Sequence, residues 1–409
     1  MNNDMLEIQK FIKSNPNWEK LLIDKPYCLN ITKDHVNGRN LVMFKYNQID
    51  SDFSIKLVQQ CRGLILDLDT FEIVSYAFDK FFNYEEPYSA DIDWKSCWVG
   101  EKLDGSLIKI VRIGNNLLWS TNGTIDAFKA PLAEQIGCLA KSFGELAWLA
   151  IVENWRAANG HDRNVCVDPD VVNGWLRNLL EEGHTYMFEL TSPYNKVVVS
   201  WHETKLNFLG VRDNSTLQET YFSDHALNKI FNVPKVFPLK SIDDCVKAAE
   251  KLDCNNEGFV VCDKNFNRVK VKSPTYVALH HMRNNGVLSY ARGIEIVRGN
   301  ELDEVLTYFP EFAEHLQKIK ADYEAFVAEL MDTQAKLDVW IDNNGFAAQK
   351  WLIQSGGEKR KDLAIWVMNN IKKFSGFAFG YVDEKIKDAS EYLKSQTSDK
   401  LVIALGYKD

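Results

Sequence analysis

The sequence predicts an α+β body of antiparallel sheets and helices, followed by an all-helical C-terminal domain. Two observations carry this. From Cys61 to Lys272, short β-branched and aromatic runs alternate with turn residues, with the longest break near 126–183. After about residue 276 the chain turns to 3.6-residue apolar spacing and keeps it. The expected division is therefore 1–280 for the α+β domain, with a helical insertion near 126–183, and 281–409 for the helical domain.

The elements follow in order. LEIQKFIKS opens the chain as a helix, and the rest of residues 1–60 reads as short irregular pieces. RGLILDL and EIVSYAF flank Asp69-Thr70-Phe71, a hairpin signal; SLIKIVRI and NLLWSTN flank Gly114-Asn115, a second one. AFKAPLAEQIGCLAKSF, GELAWLAIVENWRAAN and PDVVNGWLRNLLEEG then carry helical spacing. Strands resume with TYMFELT, NKVVVSW, KLNFLGVR, EGFVVCD and NRVKVKS. Among them SIDDCVKAAEKLD reads as a helix, because Ser241 suits an N-cap and acidic residues fill the first turn. HLQKIKADYEAFVAELMDTQAKLDVWI is the strongest helical pattern in the chain.

Composition bounds the function without choosing it. With 409 residues, 45% hydrophobic and 26% charged, the chain suits two globular domains rather than disorder. MNNDMLEIQK has no basic segment leading into an apolar run, so no signal peptide is expected, and no apolar stretch reaches the roughly 20 residues of a spanning helix. The eight cysteines are scattered without a C-x-x-C pair, which reads as reduced thiols and not as a zinc site. A net charge of −9 excludes a uniformly basic nucleic-acid coat but leaves room for a local phosphate-binding patch.

The chemistry sits in a spaced set of residues. Glu101-Lys102-Leu103-Asp104-Gly105-Ser106 lies between Trp98-Val99 and the strand SLIKIVRI. A lysine there can point its amine into a cleft, and glycine lets backbone approach a nucleotide closely. Glu189 is acidic inside the apolar run TYMFEL, and Glu257-Gly258 opens EGFVV. Lys270 and Lys272 are two apart, so both leave one face of a strand. Paired cations on one face repel unless solvated or bridged by an anion such as a phosphate chain. Each residue alone reads as a solvated charge; together they point to a nucleotide site.

The order Lys-x-Asp-Gly, Glu in a strand, Glu-Gly, Lys-x-Lys resembles the covalent nucleotidyltransferases. Cys61-Arg62-Gly63, Asp79-Lys80-Phe81-Phe82-Asn83, Glu101 to Ser106, Phe188-Glu189 and Val269 to Ser273 narrow it to a resemblance to the T4 RNA ligase 1 family. It runs from about residue 60 to 282, broken near 126–183, and the C-terminal domain is similar only in being helical. The resemblance implies an adenylation domain that uses ATP with Mg²⁺ or Mn²⁺ to join 5′-phosphate and 3′-hydroxyl RNA ends.

Under the resemblance Lys102 is the nucleophile, with Lys270 and Lys272 as catalytic cations. Arg62, Lys80, Phe82, Glu101, Leu103, Gly105, Glu189, Glu257 and Val260 join them around the nucleotide, with Phe208 or Leu209 also against the base. Glu257 is the expected metal contact, through water, and Glu189 the ribose contact, though the two could be exchanged. The expected partners are RNA ends, a nicked tRNA anticodon loop among them, met by a monomer without membrane association in a host cytoplasm. The family's Ser-Lys-Gly element appears here as Thr121-Asn122-Gly123, so a cation is missing; either Lys109 or Arg112 substitutes for it or phosphate affinity is lower.

Two other readings compete: a DNA ligase or capping-type relative, which would carry a β-rich domain after the Lys-x-Lys strand, and a catalytically silent RNA-binding relative. Three further features read as structural. His280-His281 suits a helix packed on the body, Gly160-His161-Asp162 a loop, and Gly356-Gly357-Glu358-Lys359-Arg360 a solvated turn without P-loop spacing. Lys359, Arg360, Lys361, Lys372 and Lys373 read as solvated cations or a basic patch for tRNA.

Overall fold

The computed structural model describes residues 5–133, 136–162, 166–195, 198–253, 255–281, 288–344 and 357–407, the side chains of 279–281 and 308 excepted. The side chains of His280 and His281 thus lie outside the described residues, as do Cys254 and Gly356. Two compact units result, Met1–Arg283 and Asn284–Asp409.

In the first unit a helix at Glu7–Ser14 opens the chain. Strands β1 (Leu29–Val36) and β2 (Arg39–Tyr46) then pair over eight residues each. This hairpin replaces the irregular pieces expected for the region. Its turn is Asn37-Gly38, with φ of 54° and 77°. Two left-handed residues in a row match the right-handed twist of the flanking strands, and Asn-Gly tolerates them. β3 (Arg62–Asp67) and β4 (Ile73–Ser75) complete a sheet ordered β1-β2-β3-β4. The expected hairpin at Asp69-Thr70-Phe71 joins its last two strands, with the Asp67 carboxylate accepting from the Asp69 and Thr70 backbone N–H groups.

β5 (Phe82–Asn83) and β6 (Trp98–Lys102) precede β7 (Ser106–Ile113) and β8 (Asn116–Ser120), the second expected hairpin. β9 (His184–Thr191), β10 (Lys205–Asp213) and β11 (Glu219–Tyr221) join it in a sheet ordered β11-β10-β9-β7-β8. β12 (Val236–Phe237), β13 (Gly258–Cys262) and β14 (Arg268–Lys272) form the third sheet, ordered β12-β6-β13-β14-β5. The helix at Ile242–Ala249 is capped by Ser241, whose hydroxyl accepts from the Asp244 N–H.

Two expectations fail here. Among its described residues, all but 134 and 135, AFKAPLAEQIGCLAKSF forms no α-helix before Phe143: a 3-10 turn at Ala127–Lys129 is followed by a bridge between Pro131 and Ser142. Pro131 lacks an N–H, Gly137 is left-handed at φ 85°, and Ile136 and Leu139 stand exposed. Residues 198–201 of NKVVVSW are bends and coil, not strand. The Val198 and Val199 N–H groups go to the Asp104 carboxylate, at 2.9 and 2.6 Å, instead of to a neighbouring strand. The helices Phe143–Asn159 and Pro169–Leu179 do form, and bury Leu146, Ile151, Val172 and Leu176 against Ile108, Phe188 and Phe208 of the second sheet.

The second unit is helical. Its longest element, Ala313–Asn343, spans 31 residues and buries Leu316, Ile319, Tyr323, Phe326, Leu330, Leu337 and Ile341, spaced three, four or seven apart. Part of the possible basic patch is used internally: Arg360 makes a two-pronged bond to Asp383 at 2.7 and 3.1 Å, and Lys373 pairs with Glu329. Among the described residues no helix is long and apolar enough to cross a membrane.

Candidate active site

β6 ends at Lys102 and β7 begins at Ser106, so a three-residue link carries the chain from the third sheet to the second. Asp104 holds that link in place. It is 5% exposed; its carboxylate accepts from Val198, Val199 and, at 3.0 Å, the Tyr276 hydroxyl, while Trp201 Nε1 donates to its carbonyl at 2.7 Å. A buried carboxylate so furnished is stable only because its lone pairs are filled. Gly105 is obligatory, since a Cβ there would meet the Leu190 carbonyl oxygen at 2.3 Å.

The lysine amine this link presents lies 2.6 Å from Glu257 Oε1, and Lys272 Nζ lies 3.9 Å from the same oxygen. Strand register explains the meeting. Gly258 pairs with Lys102 on one side and with Lys272 on the other, so the residue before it stands between two cations. Gly258, at φ 140°, has no space for a side chain: a Cβ would sit 2.1 Å from the Val271 carbonyl oxygen. One step along, Val260 pairs with both Gly100 and Lys270. Lys270 and Lys272 leave one face of β14 while Val269 and Val271 are buried on the other. Lys270 Nζ lies 5.8 Å from the Phe81 ring centre.

A cavity opens over these strands. Arg62, Glu101, Lys102, Leu103, Gly105, Glu189, Leu209 and Val260, all singled out from sequence, line it. Of the pair Phe208 and Leu209, Leu209 faces the cavity, at the bulge where the β9–β10 register shifts, and Phe208 is fully buried in the core. Glu189 lines the cavity and is half-buried. Burial raises its pKa to about 8; Lys102 and Arg62 oppose the shift and Glu257 adds to it. The direction of the shift favours the neutral acid, whose hydroxyl can donate a hydrogen bond.

Lys80, Phe82, Glu257, Lys270 and Lys272 stand outside the lining, the last three beside Lys102 at its edge or one strand away. Phe82 is 6% exposed and packs in the core beside Phe53, and Lys80 Nζ lies 4.2 Å from the Phe53 ring centre and 5.2 Å from those of Tyr46 and Phe82. Phe81 takes the cavity position instead, under the Arg62 guanidinium at 5.5 Å. The two aromatics point to opposite sides, as neighbours in extended chain do.

Sequence reasoning missed the apolar wall (Phe78, Trp98, Phe222, Pro234) and Arg268, which stacks 4.2 Å from the Phe78 ring centre. Arg268 is tied to the Glu219 carboxylate, which also binds Arg212, and Arg212 lies 4.3 Å from the Tyr76 ring centre. Burial opposes the charge on Arg268, and the Glu219 carboxylate more than offsets it, so the pKa is raised. A possible signal was the placement of Arg268 two residues before Lys270 on the same strand face.

The expected substitutes at Thr121-Asn122-Gly123 do not serve. Arg112 donates to the carbonyls of Gly114, Arg177 and Leu180. Lys109 is wholly buried and donates to the Gly63 carbonyl; burial, with Arg62 adding, lowers its pKa to about 7. Among the described residues no group of three or more His, Cys, Asp or Glu side chains could hold a metal.

A family model described as RNA ligase, that of the T4 RNA ligase 1 group, matches residues 60–276. The chain belongs to the T4 RNA ligase 1 family. A putative bifunctional polynucleotide kinase/RNA ligase of Autographa californica nuclear polyhedrosis virus is 30% identical over 69% of this chain, which spans 39% of that relative's length. The RNA ligase of Rhodothermus phage RM378 is 24% identical over 87% of this chain and 88% of its own. A solved archaeal ATP-dependent RNA ligase aligns over 78% of this chain and 79% of its own, at 11% identity and a TM-score of 0.41. The matched span of this RNA ligase family member holds the whole cavity lining, from Arg62 to Arg268, and leaves β1 and β2 outside it.

Proposed function

We propose that this protein is an ATP-dependent RNA ligase that joins 5′-phosphate to 3′-hydroxyl RNA ends through lysyl–AMP and RNA–adenylate. The observation that carries the reading is the Lys102 amine, 2.6 Å from the Glu257 carboxylate at a cavity lined by cations and by apolar and aromatic side chains. Adenine fits against Val260, Leu209 and the aromatic wall, and the protonated Glu189 is placed for a ribose hydroxyl. The phosphates then point to Lys102, Lys272 and Arg62.

Three displacements at phosphorus follow from that pose. Lys102 Nζ attacks the α-phosphorus of ATP; the P–N bond forms, the bond to the β-phosphate oxygen breaks, and pyrophosphate leaves. The amine loses a proton in this step, and Glu257 is the nearest acceptor. An oxygen of the RNA 5′-phosphate then attacks the same phosphorus and releases Lys102. Finally the 3′-hydroxyl oxygen attacks the 5′-phosphorus and AMP departs. Lys270 and Lys272 lower the charge that accumulates on the phosphoryl oxygens. A divalent ion held through water by Glu257 would add positive charge there. RNA repair is the setting this reading favours, with the helical unit contributing to recognition of RNA such as a nicked tRNA.

The test is end joining. RNA carrying a 5′-phosphate and a 3′-hydroxyl should be sealed with ATP and Mg²⁺, while RNA with a 5′-hydroxyl should not. Lys102→Ala should abolish sealing and retain RNA binding. Equal sealing by the variant would remove Lys102 from the chemistry, and binding without sealing by the wild type would mark a silent relative.

A further inference from the structure

The first sheet carries a second polar groove, which shares Arg62 and Asn122 with the nucleotide cavity and is otherwise lined by Asn30, Lys45, Tyr46, Asn47 and Gln48. Its arrangement comes from a bulge. The β2–β3 ladder pairs Phe44 with Leu64 and then Lys45 with Arg62, so Gly63 is the extra residue, left-handed at φ 77°. The bulge brings Lys45 directly opposite Arg62, and Asn30 is opposite Lys45 on the other side. Residues directly opposite share a face of the sheet, and like charges so placed destabilise it.

Three contacts hold this arrangement. Lys109 donates to the Gly63 carbonyl. Gly63 is pressed on the Asn122 backbone, where a Cβ would come within 2.7 Å of the Asn122 Cα. A Cβ on Gly123 would lie 3.5 Å from Lys45 Nζ, so the β2 lysine reaches the Thr121-Asn122-Gly123 turn. No Asp or Glu lines this groove; the acidic side chains near Arg62, Glu101 and Glu189, line the neighbouring cavity that Arg62 shares. One terminal nitrogen of Arg62 and the side-chain oxygen of Asn122 are buried without hydrogen-bond partners among the described residues. Two facing cations and an unmet guanidinium N–H favour an anion, whereas the unmet Asn122 oxygen, an acceptor, contributes nothing to it; the lining shared with the nucleotide cavity makes a phosphate group the fitting anion.

We propose that Lys45 and Arg62, facing across the β2–β3 bulge, bind a phosphate group, and that Lys45 supplies from outside the matched family span the cation absent at Asn122. The proposal rests on the ligase reading for its source of phosphate: the departing pyrophosphate of ATP or the 5′-phosphate of RNA.

The test uses the full chain and Lys45→Ala and Lys45→Arg. Inorganic pyrophosphate and a 5′-phosphorylated oligonucleotide are titrated separately by calorimetry, a readout that needs no adenylation and so survives failure of the ligase reading. Lys45→Ala should weaken one of them about tenfold, the worth of one charge-assisted contact, and Lys45→Arg should restore most of it. Weakening confined to pyrophosphate assigns the site to ATP, with the lysine-labelling step slowed. Weakening confined to the oligonucleotide, absent for its 5′-hydroxyl counterpart, assigns it to the RNA end, with AMP transfer slowed. Less than a twofold change for both ligands overturns the proposal.

Discussion

The two ends of the nucleotide cavity are built on opposite principles. At the apolar end the charges are paired before any ligand arrives: Glu219 binds both Arg268 and Arg212, and each guanidinium also lies over an aromatic ring. At the polar end the charges are left in tension. Arg62 faces Lys45, keeps an unmet N–H, and Glu257 is shared between Lys102 and Lys272. On the proposed reading the first end is a finished wall for the base, and the second is completed by a phosphate chain whose binding would relieve repulsion between its cations.

Substitutions should therefore have opposite signs at the two ends. The largest effect is expected from Glu219→Gln, which leaves two buried guanidinium groups facing each other and should cost about 3–5 kcal/mol of stability. Urea unfolding measures it; a loss below about 1 kcal/mol would break the contrast, since it would mean that the wall does not depend on its central carboxylate.

Glu189→Gln should act the other way. The folded state holds the Glu189 proton up to about pH 8, whereas an unfolded glutamate releases it near 4.5. Stability of the wild type thus falls as pH rises between those values and levels off above the upper one. Removing the titrating group should raise Tm by a few degrees at pH 9 and by much less at pH 5. A gain that does not grow with pH would contradict a protonated Glu189. The smallest effect belongs to Lys45→Ala, expected to stabilise the ligand-free protein by about 0.2–1 kcal/mol through lost repulsion. Saturating phosphate should erase or reverse that gain, and an unchanged difference would blunt the contrast.

What was legible in the sequence was local. Strand alternation and turn dipeptides placed the Lys102 link, Glu189, Glu257 and the Lys270–Lys272 strand, because a period of two and a Gly-Asn turn act within a few residues. The β1–β2 hairpin carried the same kind of signal in Asn37-Gly38, yet went unread beside a strand with exposed polar residues on both faces. Apolar residues at 127–143 imitated a helix, and Pro131 with Gly137 prevented it. Other features depend on distant partners. Nothing local says that Phe81 rather than Phe82 faces the cavity, that Arg268 meets Glu219 across 49 residues, or that a bulge turns Lys45 toward Arg62. The assignment of Lys109 or Arg112 as the replacement cation failed for the same reason: their acceptors are backbone carbonyls up to 68 residues away.

The central claim is that Lys102 takes AMP. Protein incubated with Mg²⁺ and ATP radiolabelled at the α-phosphorus, without RNA, would be run on a denaturing gel beside Lys102→Ala. The account predicts acid-labile label on the wild type and none on the variant. Wild-type protein that stays unlabelled after pyrophosphate treatment to strip bound AMP, or label that persists on Lys102→Ala, would contradict it.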